Sequence, residues 1–418
     1  MRVLKLLACS VGISSIVSIA VSSQSRPVAG PVVYEGARLI IGTDTAPIEN
    51  GAIVVQNGRI TAIGQKGSVK APGGATRVDL TGKTVMPAIV NLHSHIGYEK
   101  WITPAGESRP ENHTAETIHD HLQRHAFYGI GTVNDAGSVH LDIAKQYLVD
   151  RDAREFSSDA SRFILMGGVV PVDGGPDHIL IKATRPLRAN FEVTLAPEAR
   201  AAVKMISAKG VKHLKIWIGD RRGSYPAMPH ELYDPVIDEA KKEGILVHAH
   251  AGSNRDQKDA LKAGVDLLVH TIQSELLDDE LIALLGQKKP YWTPVMGLGD
   301  RSELCDPNPF AEQVQTAETV AAVRAANCKP NPNAAKREQI LKNNFMKMIT
   351  SGARLVLGTD SGVFPRYSFG WADHHEMGRY VELGLTPAQA IVASTSRPAE
   401  ALGLKDVGVL AEGKVADF

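Results

Sequence analysis

Met86-Pro87-Ala88-Ile89-Val90-Asn91-Leu92-His93-Ser94-His95 is an apolar run that ends in two histidines one residue apart. Residues i and i+2 of a β-strand point to the same side. Two imidazoles leaving one strand end on one face therefore form half of a metal site, since neutral imidazole is a common ligand for Zn²⁺ and its neighbours. The pattern alone is unspecific, because a pair of solvated loop histidines gives the same three letters. The rest of the chain decides between the two readings.

Downstream of Pro87, apolar strand-like runs alternate with amphipathic helix-like segments such as Pro229–Glu243 and Ala334–Ser351. The strand candidates end at His95, Gly137, Gly168, Trp217, His250, His270, Val295 and Asp360. Strands alternating with helices in this way predict an α/β fold, a (β/α)8 TIM barrel, typically about 250 residues before insertions. A doubly wound open sheet competes with it. No G-x-G-x-x-G follows any strand, so the dinucleotide-binding version has no support.

Upstream, Val32 to Val85 reads as short strands and turns, with Asn57-Gly58 between two apolar runs as a hairpin signal. At the other end, Gly408 to Phe418 starts a further β unit, and the sequence reads as cut off within it. The expected organisation is a leader over 1–22, a small β unit over 31–86, the barrel over 87–398 and an incomplete β unit over 399–418.

Lys+Arg and Asp+Glu are equal at 46 each, which gives nucleic acid or an anionic surface no footing as main partner. The leader has a basic start, Met1-Arg2-Val3-Leu4-Lys5, then an apolar stretch from Leu6 to Ala20 with small residues at its end. This reads as a secretory signal, with an uncleaved anchor as the alternative. Cys9 in Leu6-Leu7-Ala8-Cys9 comes too early for a lipidation site. No later run reaches the roughly 20 apolar residues that span a bilayer. Export permits a disulfide between Cys305 and Cys328, and two free thiols are the alternative.

In a barrel the C-terminal strand ends converge on one mouth. Strand one brings His93 and His95, strand four Lys215, strand five His250, strand six His270 and strand eight Asp360. A buried Lys must be paired or neutral, so Lys215 inside an apolar run either joins the site or forms a salt bridge to Asp135 or Asp360. His270 alone could be a core histidine, and Asp360 alone could cap the turn at Ser361-Gly362. His248 is expected to face away from His250 and to be structural. His121 and His125, four apart on a helix over Thr114–Tyr128, are expected on the outer ring, far from the mouth. His374-His375 either reaches the substrate or opens the next helix.

The chain resembles the amidohydrolase superfamily, in particular its imidazolonepropionase-like and Xaa-Pro dipeptidase-like branch. The stretches that carry the resemblance are His93-Ser94-His95, Gly131 to Gly137, the Lys215 strand, Ala249-His250, Val269-His270, Gly358 to Gly362 and Gly413 to Asp417. The resemblance implies a small β-sandwich built from both chain ends, and two divalent metals, with Zn²⁺ expected. His93, His95 and Asp360 would hold one ion, and His250 and His270 the other. Lys215 would bridge them as an N-carboxylated lysine formed with CO2. Two ions bring four positive charges; the carbamate, Asp360 and a bridging hydroxide bring three negative ones. The remainder polarises a substrate carbonyl, metal lowers the pKa of water from 15.7 to about 7, and Asp360 shuttles the proton to the leaving nitrogen.

Deaminases and imidazolonepropionases of this kind generally use one metal, lack the strand-four Lys and carry a Glu three residues after the strand-five His. That position is Ser253 here. The departures are Pro87-Ala88 for Pro-Gly, Asn134 for an Arg, and Gly174-Gly175-Pro176-Asp177-His178 for Gly-Gly-His, which puts a substrate role for His178 in doubt. Arg221 and Arg222 either clamp a substrate carboxylate or form a solvated basic loop. The expected function is hydrolysis of an amide or peptide C–N bond in a small molecule, a dipeptide or N-acyl amino acid, by an exported two-metal enzyme. Hydrolysis of a cyclic amide or lactone, deamination, and an inactive metal-loaded binding protein are the alternatives. A homo-oligomer stays open.

Overall fold

After Pro31, Val33, Ala37 and Leu39 fall on one buried face at even spacing and start the first sheet. The structure, a computed structural model, describes residues 30–97, 113–175, 189–220, 223, 225–297, 308–327, 332–363 and 368–418. The leader, His178, Arg221, Arg222, Cys305 and Cys328 lie outside the described residues. β1 (Val32–Leu39), β2 (Ile48–Gln56), β3 (Arg59–Gln65), β4 (Thr76–Asp79) and β5 (Thr84–Val85) form a sheet in the order β3-β2-β1-β4, with β5 also on β1. The β2–β3 turn is Asn57-Gly58, with φ of 53° and 72°. Both central residues left-handed is the hairpin geometry that Asn-Gly serves. The last residues dock on this sheet: Ile60 N donates to Lys414 O at 2.9 Å, and Val415 bridges Arg59 antiparallel.

From Ile89 the chain alternates. β6 (Ile89–Ser94), α1 (Ala115–Phe127), β7 (Ile130–Asp135), α2 (Leu141–Asp152), β8 (Arg162–Ile164), β9 (Met166–Pro171) and β10 (Asn190–Val193) come first. α3 (Ala196–Ala208), β11 (His213–Trp217), α4 (His230–Glu243), β12 (Leu246–His250), α5 (Asn254–Ala263) and β13 (Leu267–Val269) follow. The series ends with α6 (Asp279–Lys288), β14 (Tyr291–Thr293), α7 (Ala317–Asn327), α8 (Ala334–Thr350), β15 (Arg354–Leu355), α9 (Trp371–Glu382), α10 (Pro387–Ser394) and α11 (Ser396–Ala401).

α4 shows why these helices form and where they stop. Leu232, Val236, Ile237 and Ala240 make one buried stripe, and Gly244 at φ 65° ends the helix as a left-handed C-cap. Each large apolar side chain so buried contributes roughly 1.5–3 kcal/mol.

The strands pair in parallel, as β10-β9-β11-β12-β13-β14-β15 and as β6-β7-β8. The single residue Leu165 separates β8 from β9. On the opposite flank the segment after β15 runs along β6: Leu92 N donates to Leu357 O at 2.9 Å and His95 N to Ser361 O at 2.7 Å. The architecture is α/β, and its strand ends gather on one side. Strand three runs to Pro171, three residues past the expected end at Gly168. Gly168 is paired within the strand to Asn190 and Lys215, and a glycine is needed there because a Cβ would lie 2.1 Å from Gly137 O. β10, an edge partner of β9, has no counterpart in the sequence reading. No helix among the described residues is long and apolar enough to cross a membrane.

Candidate metal centre

β6 delivers His93 and His95 on one face, and both are buried. The backbone after β15 hydrogen-bonds to β6, with Asp360 N on His93 O at 2.9 Å, and this brings the Asp360 carboxylate beside them. Asp360 Oδ1 lies 2.7 Å from His93 Nε2 and 3.4 Å from His95 Nε2, and Oδ2 lies 3.8 Å from His270 Nε2. The His270 ring stands 4.2 Å from that of His250 and 6.0 Å from that of His93, centre to centre. Lys215 is fully buried, with Nζ 3.2 Å from His93 Nε2 and 5.1 Å from the Trp217 ring centre. The structure thus brings together His93, His95, Lys215, His250, His270 and Asp360.

Burial, with the neighbouring basic groups second, holds the His93 and His250 imidazoles well below the usual histidine range. They are neutral, the form that ligates a metal. Burial alone would raise the Asp360 carboxyl, but the His270 and His93 imidazoles outweigh it and hold the group well below the usual carboxylate range. His93, His95 and Asp360 each place a ligand atom within 4.8 Å of the others. Two imidazoles and a carboxylate that converge this closely in a buried place are the donor set of a divalent cation, so these residues fit such a metal.

Backbone and neighbours are shaped around the set. His270 and Asp360 have φ of 77° and 56°, left-handed values that cost non-glycine residues of order 1–3 kcal/mol. His270 is held there by its N–H on Thr293 O at 2.8 Å and by Trp292 Nε1 on its carbonyl at 2.8 Å. His95 Nδ1 meets Ser138 Oγ at 2.9 Å. The Ser138 turn is fixed by Asp135, whose Oδ2 accepts the N–H groups of Gly137, Ser138 and Val139 at 2.7, 2.9 and 3.1 Å. Gly137, at φ 90°, is the floor under Lys215: a Cβ there would sit 2.3 Å from Lys215 Cβ.

Two expectations need correcting. His248 does not face away from His250. The two are separated by two positions on β12, so period-two alternation puts both on the interior face, and His248 Nε2 lies 3.3 Å from His213 Nδ1. His121 and His125 are not remote from the mouth. Both are fully buried against Phe369, and His121 Nδ1 accepts Gly97 N–H at 2.9 Å, two residues beyond His95. Helix α1 turns that face inward. His374 lies on α9 with Nε2 2.8 Å from Tyr128 O, so it serves the helix junction. Ser253 is the N-cap of α5, and its Oγ accepts Asp256 N–H at 3.1 Å.

Sequence reasoning passed over Asn91, Ser138, Asp373 and Glu376. Asn91 carried one usable signal, its place two residues before His93 on the same strand face. Asp373 and Glu376, three apart on a helix, look like an ordinary solvated acidic face, yet both are buried.

The chain is similar to several known proteins. One is a 5-methylthioadenosine/S-adenosylhomocysteine deaminase of Symbiobacterium thermophilum, 24% identical over 239 residues, or 54% of this chain and 50% of the relative. The chain thus spans about half the length of that curated relative. An imidazolonepropionase of Deinococcus radiodurans is 26% identical over 95% of this chain and 90% of its own. Among solved structures, a Xaa-Pro dipeptidase with methionine bound in its active site superposes with a TM-score of 0.70 at 22% identity, covering 92% of each chain. The amidohydrolase family model matches residues 84–418. The chain therefore belongs to the amidohydrolase family, whose members are hydrolases acting on C–N bonds.

Proposed function

We propose that this protein is a two-metal hydrolase that cleaves the amide or peptide C–N bond of a small substrate, a dipeptide or an N-acyl amino acid. The observation that carries the reading is Lys215. It is a fully buried amine 3.2 Å from His93 Nε2, on the same face as His250 and among neutral imidazoles. His93, His95 and Asp360 would hold one ion, and His250 and His270 the other, with the carboxylated Lys215 between them. When bound, such ions, Zn²⁺ by expectation, lower the pKa of water towards 7 and polarise a carbonyl. Asp360, kept ionised, takes a proton from the attacking water at its carboxylate and passes it to the leaving nitrogen. The C–N bond breaks, and a carboxylate and an amine leave.

The architecture that goes with this reading is a closed (β/α)8 barrel over 87–398. Its companion is a β-sandwich of 31–86 and 399–418. An export signal over 1–22 completes the proposal. Arg221 and Arg222 remain candidates for the substrate's carboxylate, and His178 for a substrate contact. Deamination is the second reading, favoured by the names of several similar proteins. Ser253 weighs against it, since it caps a helix where a deaminase carries a Glu.

A panel of dipeptides, N-acyl amino acids and S-adenosylhomocysteine, offered to zinc-loaded protein, tests the proposal. Amine release with two ions per chain is expected. Ammonia release from the nucleoside with one ion would overturn it in favour of deamination.

A further inference from the structure

Six buried polar side chains form an open ring behind the metal ligands. Asn91 Nδ2 donates to Asp373 Oδ1 at 2.7 Å and to Thr359 Oγ1 at 3.0 Å. Thr359 Oγ1 meets Ser361 Oγ at 3.0 Å, and Ser361 Oγ meets Ser94 Oγ at 2.8 Å. Ser94 Oγ approaches His125 Nε2 at 3.5 Å, and His125 Nε2 faces Asp373 Oδ2 at 4.0 Å. Ring members alternate with the ligands along the chain: Ser94 stands between His93 and His95, and Thr359 and Ser361 flank Asp360.

We infer that Asp373 is a positioning residue for the metal centre, acting through Asn91 to lock His93 of strand one against Asp360 of strand eight. The inference rests on the metal-centre reading above. An amide can be turned either way about its last torsion, and its partners choose. Asp373 Oδ1 accepts, so it requires the Asn91 NH2 on its side. That leaves Asn91 Oδ1 facing the other way, where it accepts His93 N–H at 2.7 Å. A reversed amide would set NH2 against that N–H, donor against donor. One carboxyl on α9 therefore fixes the backbone of the first ligand and, through Thr359, the turn that carries the last.

On the other side the ring stays open by a 4.0 Å gap between Asp373 Oδ2, which has no hydrogen-bond partner among the described residues, and His125. Its Nδ1 lies 2.9 Å from the His121 carbonyl, which only accepts, so Nδ1 carries the proton. Burial pulls this imidazole down to about 4, so the ring is neutral and Nε2 offers a lone pair. A neutral Asp373 carboxyl suits that neighbour, and burial pushes the group up to about 8. An Asn at 373 keeps both the shape and the acceptor oxygen.

The test loads intact protein with zinc and measures metal per chain and zinc affinity by chelator competition, with thermal unfolding alongside. Asp373→Leu is expected to lose about 10- to 100-fold in affinity for one ion, the scale on which partners of ligands act. Asp373→Asn is expected to restore it to within about threefold. Ser161→Ala is the control for a purely structural role. Ser161 is also buried, and its Oγ donates to the Leu122 and Ile130 carbonyls at 3.1 and 2.5 Å, neither of them within two residues of a ligand, so its loss lowers the unfolding temperature and leaves zinc affinity alone.

Unchanged affinity in Asp373→Leu overturns the inference, as does an Asp373→Asn that fails like Leu. Should Asp373→Leu not fold, Asn91→Ala and its combination with Asp373→Asn carry the test. Coupled losses support the inference, and independent, additive ones overturn it. Wild-type protein that takes up no zinc refutes the metal-centre reading instead.

Discussion

Gly137→Ala is the sharpest small perturbation of the site. The added Cβ would lie 2.3 Å from Lys215 Cβ, 3.1 Å from Lys215 Cγ and 3.3 Å from Gly167 O. Ordinary contact begins at 3.4 Å, so Lys215 must retreat by about 1.1 Å. The residue also sits at φ 90°, where an alanine pays roughly 1–2 kcal/mol. Overpacking a filled interior adds about 1–3 kcal/mol. The expected destabilisation is therefore about 2–5 kcal/mol, read as a lower urea midpoint by tryptophan fluorescence. A 1 Å misplacement of a reacting group costs on the order of 10²-fold in rate, so kcat/KM should fall on that scale in the molecules that still fold. A Gly137→Ala protein with the wild-type midpoint and wild-type kcat/KM would refute the packing argument for how Lys215 is held.

Two further outcomes follow from the same geometry. Asp373 and Glu376 are pushed up to about 8 and about 7, in both cases by burial first, so the folded chain holds protons that the unfolded chain releases near pH 4. Their contribution is complete below that pH and is lost as pH rises towards 7 to 8. Each retained proton lowers stability by about 1.4 kcal/mol per pH unit, while the buried neutral His93, His125 and His250 act in the opposite sense below about pH 6.5, so the comparison is with Asp373→Asn, which should gain stability relative to wild type from pH 5 to pH 8; a difference between the two proteins that stays constant over that range would contradict it. Ser253→Ala should cost about 1 kcal/mol through the lost helix cap and leave kcat unchanged; a collapse of kcat in a protein of near-normal stability would give Ser253 a chemical role.

What the sequence made legible follows from periodicity. The strands ending at Trp217 and His250 finish where the apolar alternation stops, and α8 starts at Ala334 as its spacing indicates. The six converging side chains were readable because five of them close apolar runs and Lys215 interrupts one, and the C-terminal ends of parallel strands gather on one side. The misreadings have physical causes. His248 was set apart from His250 although a two-residue step keeps the same face, and only the His213 contact makes its interior place plain. His121 and His125 were placed outside because a helix preceding a strand usually lies on the outer ring; here Phe369, from a distant segment, buries that face. Asp373 was hidden because its partners, Asn91 and His125, lie more than 200 residues away in the chain. A pattern of single residues carries no record of such contacts.

The most direct measurement is the number of divalent ions bound per chain, by elemental mass spectrometry on zinc-loaded wild-type and Lys215→Ala protein run side by side with amide hydrolysis. The account predicts two ions and turnover in the wild type, and loss of metal and activity together in Lys215→Ala. Two ions and full turnover retained without the Lys215 amine, or a wild type that is active with a single ion, would contradict it.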